Sequence, residues 1–165
     1  RQVARRELDV WIFHEVGEAR EGVFPGLIWQ EIVATYSNSP IELFARVVKD
    51  LLADHHHDGL LEHIIEHRVR SSLGFYFVFM RPFTRMLSAE LVEAFPAFRQ
   101  RDDWAVIESA RQAVFARAKG YAAALVEIHQ EGRRRGFDWS KEQMLSALIK
   151  PLGILNQTEE HKEQQ

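Results

Sequence analysis

The 165-residue chain contains no cysteine. Disulfides, thiolate metal sites and a cysteine nucleophile are therefore excluded. Glycine and proline are sparse, nine and five in all, and they fall at boundaries. Between them, apolar residues recur mostly at helical spacing. The longest apolar run, Leu73 to Met80, is eight residues, far short of the roughly 20 that a bilayer-spanning helix needs. Arg5, Arg6, Glu7 and Asp9 stand where a leader peptide would need an apolar core, so none is expected. There is no Gly-rich phosphate loop and no G-x-S-x-G elbow. A net charge of −3 argues against an overall electrostatic nucleic-acid binder, though not against a local basic patch. A cytoplasmic protein with no membrane partner is the expectation.

Hydrophobic residues make up 46% of the chain, enough for a core at this length. The spacing predicts about seven helices and no paired strand, hence an all-α fold. The first helix runs from Val3 to about Arg20, then Gly22 to Gly26 break the chain, and a short helix covers Leu27 to Tyr36. Ser39, Pro40 and Glu42 form a helix start: an N-cap, a proline at N1 and a capping-box acid at N3. That helix carries Leu43, Phe44, Val47, Val48, Leu51 and Leu52, and is expected to fray in a solvated turn at residues 54–59. One helix is expected from Leu60 to about Met80, and another from Phe83 to Phe95, ended by Pro96. Asp102 or Asp103 caps a long helix that stops in Gly132-Arg133-Arg134-Arg135-Gly136, where the arginines complement the helix dipole. Ser140 with Gln143 caps the last helix, which Pro151 and Gly153 end. Residues 156–165 are polar and read as a disordered tail.

The strongest chemical pattern is His63-Ile64-Ile65-Glu66-His67, in which two imidazoles one helical turn apart could share a zinc beside a carboxylate. The pattern is short, the pair sits at the rim of an apolar stripe, and a boundary pair is the preferred reading, with no metal or other cofactor expected. His55, His56 and His57 read as a solvated turn; His56 would share a stripe with His63 and His67 only if the helix ran through Gly59. No glutamate has a histidine three residues on, which disfavours a helical di-iron carboxylate site. A helical metal-dependent protein using His63, Glu66 and His67 remains the alternative, as does a ligand-free helical adaptor.

Two further features point to partners rather than catalysis. Small residues Ala113, Ala116, Gly120, Ala123 and Ala124 recur along the long helix, as they would where another backbone approaches closely. With Leu148 they are the expected homodimer interface. Phe75, Tyr76, Phe79, Met80 and Phe83 belong to an aromatic and Met-rich block that suits the wall of a small-ligand pocket, with His67 and Tyr121 as polar groups able to orient a ligand.

Three segments, taken together, resemble the TetR family of transcriptional regulators: Tyr36 to Val48, Arg81 to Leu91, and Ile128 through Leu148. The first is similar to the join between recognition helix and connecting helix, the second to a recurring stretch of the effector domain, the third to the paired dimer helices. The resemblance implies a helical effector-binding and dimerisation bundle at 39–155, a homodimer with no enzymatic activity, and a small apolar or aromatic effector. Residues 1–38 would then be a degenerate DNA-binding head or further effector-domain helices. DNA is a partner only if a competent N-terminal head exists.

Overall fold

The structure, a computed structural model, describes residues 12–153. Among these residues every regular element is helical. Residues 12–20 form α1. There follow α2 (Ile28–Thr35), α3 (Pro40–His55), α4 (Leu60–Glu66), α5 (Arg70–Phe79), α6 (Pro82–Leu87), α7 (Ala89–Arg101), α8 (Trp104–Arg135) and α9 (Phe137–Met144). A wide π-type turn at Leu145–Ile149 and a 3₁₀ turn at Lys150–Leu152 close the described chain. The predicted tail and the start of the first helix lie outside the described residues.

Two compact units emerge. The first comprises Val47–Gly120 with the described part of Arg1–Gly22, and the second Val23–Arg46 with the described residues from Tyr121. The first unit buries Leu51, Leu52, Leu61, Ile64, Leu73, Leu87, Leu91 and Ile107. The second buries Ile32, Ile41, Phe44, Leu125, Met144 and Ile149. Each such side chain contributes roughly 1.5–3 kcal/mol by leaving water.

Local chemistry sets the boundaries. Ser39 Oγ accepts the Glu42 N–H at 3.4 Å, as a capping box requires, but Glu42 reaches Asn38 N–H at 2.6 Å rather than the cap residue. The predicted helix from Leu60 to Met80 is broken. Arg68 takes a left-handed φ of +52°, its N–H bonds to Ile65 O at 3.1 Å, and Val69 N–H bonds to Ile64 O at 3.0 Å. That double bond is the Schellman stop, here with arginine in place of the usual glycine. Pro96 does not end α7 but sits inside it. Stacking of Phe95 on Phe77 at 3.9 Å and edge-to-face packing of Phe98 on Trp104 at 4.7 Å offset the roughly 3 kcal/mol that an internal proline costs. Asp103 Oδ1 caps α8 through Ala105 N–H at 3.0 Å, and Gly136 ends it at a φ of +101°. Ser140 is not the expected cap: α9 begins directly after Gly136, and Ser140 lies buried within it.

The residues after α3 are not a solvated turn. His55 and His56 are buried, and the chain turns back through Gly59. The turn is possible because two glycines crowd one carbonyl. A Cβ at Gly17 would lie 2.1 Å from Ala53 O, and one at Gly59 would lie 2.2 Å from the same atom.

Candidate functional site

An open groove of about 660 Å³ lies along α5, α6 and α7 of the first unit. Phe75, Phe77 and Val78 from α5 and Val92, Phe95 and Pro96 from α7 form most of its wall. Phe77 and Phe95 line it, and behind them the rings continue to Phe98 and Trp104, with successive centroids 3.9, 6.2 and 4.7 Å apart and the last pair edge to face. Arg85 and Arg99 add the charge. Arg85 is positioned by α5 itself. Pro82 forces Arg81 to be extended and cuts that helix short, so the last carbonyls lack helical partners. Arg85 supplies them, donating from Nε to Met80 O at 3.2 Å and from a terminal amine to Phe77 O.

The opposite side of α5 is polar. Tyr76 donates its hydroxyl to Asp54 Oδ2 at 3.2 Å, and His14 Nδ1 donates to Asp54 Oδ1 at 2.7 Å. The hydrogen bond to Asp54 raises His14 to about 9, against the opposing effect of burial. Burial, with Asp54 adding to it, pushes the Tyr76 hydroxyl well above the usual tyrosine range and keeps it a donor. His55 is the converse: it donates Nδ1–H to Leu51 O at 2.9 Å, and burial lowers it to about 4. Buried Arg111 closes this core, donating to the His55 carbonyl and pairing with Glu62 at 2.6 Å and Glu108 at 2.7 Å.

A second hollow, about 270 Å³, lies beside α1 and α4 and is lined by His57, Asp58, His63, Glu66 and His67. Sequence reasoning missed this grouping. Helical spacing relates only His56 to His63 and His67, whereas the turn at Gly59 places His57 and Asp58 on the wall of the same hollow.

In the second unit, Tyr36 OH and Ser140 Oγ lie 2.6 Å apart, and Ser140 donates to Phe137 O at 3.0 Å. Tyr36 is therefore the donor to Ser140. The rings of Tyr36 and Phe137 enclose buried His129, whose Nε2 is 3.6 Å from Glu31. With its proton committed to a carbonyl and its oxygen covered by tyrosine, Ser140 is a tether between α2 and α9 rather than a nucleophile.

The predicted ligand residues do not share one site. Phe75 lines the groove, while Phe79, 76% exposed, stacks on Phe75 at 6.2 Å outside its lining. Tyr76 turns to Asp54, Met80 is buried at the end of α5, and Phe83 is half-buried in α6. His67 lines the histidine pocket, and Tyr121 packs on Phe44 in the second unit at 5.2 Å. The missing members, Phe95 and Arg99, follow from α7 continuing past Pro96. Of the predicted dimer residues, Ala113, Ala116, Gly120 and Ala123 are exposed and Ala124 is half-buried. They lie opposite the stripe of Ile107, Val114, Ala118, Ala122 and Leu125 that α8 buries. Leu148 is itself buried.

The chain belongs to the family described as family of unknown function (DUF6866) C-terminal domain, whose model matches residues 1–147. No curated protein and no solved structure matches it.

Proposed function

We propose that this DUF6866 C-terminal domain is a TetR-like effector-binding and dimerisation module rather than an enzyme, and that its effector is a small aromatic or apolar molecule bearing an anionic group. The groove along α5 and α7 carries this reading. Its volume of about 660 Å³ is that of small-molecule sites, and its composition, an apolar wall with few polar groups, is theirs too. The Arg99 guanidinium and the Arg85 donors not spent on α5 suit a carboxylate or sulfonate. An occupant wedged between α5 and α7 would favour one arrangement of those helices over another. DNA would be a partner only where a competent N-terminal head accompanies the module.

Anilinonaphthalene sulfonate, an anionic aromatic, is a suitable probe. Its fluorescence is expected to rise saturably with the wild-type chain. Val92→Trp, which fills the groove, abolishes the rise, and Arg99→Gln weakens binding about tenfold by removing one charged contact. Equal binding by both variants would refute the effector site.

The small-residue face of α8 supports the dimer. Sedimentation at high micromolar concentration should show a dimer that Gly120→Leu disperses. Beyond the adjoining residues and its own helix backbone, nothing lies within 4 Å of a Cβ placed at Gly120, so the leucine leaves the chain's own packing intact. A monomeric wild type, or a Gly120→Leu dimer, removes that half of the proposal. A ligand-free adaptor is the second reading, favoured by the 72% exposure of Val78 and 76% of Phe79, which offer apolar area to a protein partner.

A further inference from the structure

We infer that the corner where α5 meets α6 is a docking surface for an anionic lipid bilayer. Eight large apolar side chains stand exposed among the described residues, and four of them lie between positions 75 and 86. They are Phe75, Val78, Phe79 and Met86, and Val78 and Phe79 are the most exposed of the eight. Phe75, Val78 and Phe79 are three and four positions apart and so share one face of α5. Phe75 stacks on Phe79. A cluster of this kind on a surface marks a site of contact.

Charge selects the partner. Residues 68–88 hold four arginines, no lysine and no aspartate or glutamate, in a chain whose net charge is −3. Arg70 is paired with Asp102 at 3.5 Å. Arg81 and Arg85 are exposed, and among the described residues no carboxylate forms an ion pair with either. Asp50 of α3 feels Arg81 only at longer range. On α7, Glu90 is held by Arg117, and Glu93 is exposed. Guanidinium groups beside exposed aromatic and aliphatic side chains have the composition of an interfacial anchor. The apolar groups enter the headgroup boundary while the cations meet lipid phosphates.

The backbone is suited to that medium too. A helix corner in apolar surroundings cannot carry orphaned carbonyls. The bonds from Arg85 to Met80 O at 3.2 Å and to Phe77 O satisfy two carbonyls at the end of α5. Its remaining donors are left for a phosphate. A protein partner fits less well. A helix laid in the groove would cover Phe75 and Val78, which line it, but not Phe79 or Met86, which do not. A bilayer is fluid and covers all four. Among the described residues no helix is long and apolar enough to cross a membrane, so the contact is with one leaflet. The expectation of no membrane partner came from run length, which says nothing of side chains projecting from a helix corner. Phe79, Arg81 and Met86 line no part of the groove, so this surface is independent of the effector reading.

Flotation of the full chain with vesicles of phosphatidylcholine and phosphatidylglycerol, at about two to one, is the test. Binding is expected, falling as salt screens the arginines, and is absent with phosphatidylcholine alone. Phe79→Ser weakens it about tenfold by withdrawing an aromatic ring, and Arg81→Gln about fivefold by withdrawing one charge. Both side chains are exposed, and thermal unfolding without lipid confirms that the variants fold. Because the chain has no cysteine, Phe79→Cys accepts a single environment-sensitive label. Its emission should shift to the blue on the anionic vesicles, and that of a label at Gln112→Cys, exposed on α8, should not. Absence of flotation overturns the proposal, as do undiminished binding by Phe79→Ser and equal shifts at the two labels. A synthetic amphipathic helix of leucine and glutamate that binds the chain, and loses affinity in Phe79→Ser, while vesicles do not bind would assign the patch to an acidic protein partner and equally overturn it. Arg81→Gln with Met86→Gln should bind vesicles weakly yet saturate with anilinonaphthalene sulfonate like the wild type. That pair of readouts tells failure of the patch from failure of the groove.

Discussion

The groove along α5–α7 and the histidine pocket beside α4 belong to one compact unit, yet they are held by different means. The groove is an outcrop of the core. Phe77, which lines it, is buried, and the rings behind it continue through Phe95 and buried Phe98 to buried Trp104. The pocket is a rim structure: His57, Glu66 and His67 are exposed, and its residues are fixed by a backbone turn, a ring stack and single hydrogen bonds. Removing one of the groove's buried rings should therefore cost stability, whereas the pocket's exposed side chains can be exchanged with the fold kept.

The largest expected effect tests the first half of that contrast. Phe77→Ala should cost about 3–5 kcal/mol by removing a buried ring and leaving a cavity, and should abolish probe binding in the same step. Chemical denaturation with fluorescence follows both. A variant as stable as the parent would show that the groove is a surface fold rather than part of the core.

The next effect separates the two histidines behind the groove. His14 is raised to about 9, so its contribution is fully present below 6.5 and is lost as pH rises toward 9. His55 is lowered to about 4, so stability is intact above 6.5 and falls as pH drops toward 4. His56 and His129, lowered by burial, add to the acid limb. Each of the two large shifts is worth at most about 3 kcal/mol. Thermal unfolding should therefore peak near pH 6.5, and His14→Gln should flatten the alkaline limb while sparing the acid one. A profile with the same alkaline slope in that variant would contradict the His14–Asp54 pairing.

The smallest effect sharpens the second half. His63→Gln with His67→Gln should leave stability within about 0.5 kcal/mol, as surface changes do. A loss several times larger would make the pocket a structural element like the groove.

Much of the helical plan was legible because periodicity and caps are local. Ser39-Pro40, Asp103 and Gly136 mark helix ends in the sequence and in the structure. The departures arose where distant residues decide. Nothing near Arg68 in sequence announces a left-handed residue, and Pro96 reads as a stop until Phe95 and Phe98 find rings to pack against. The histidine run at 55–57 looked solvated, and only the fold buries two of its three members. The groove was half legible: its aromatic block stood out, but the α7 wall depended on that same misread proline. The exposure of the α8 small residues was not legible, since a small stripe looks alike whether it meets its own chain or another.

The carbonyl of Ala53, approached from both sides by Gly17 and Gly59, has a bearing on descent. Relatives can exchange groove aromatics for other apolar residues, or lose the histidines one at a time, and keep the fold. Neither glycine can gain a side chain without shifting α1 or the turn into α4. Positions 17 and 59 should therefore be the slowest to drift in this lineage, and a relative that has lost one should show a displaced helix as its signature.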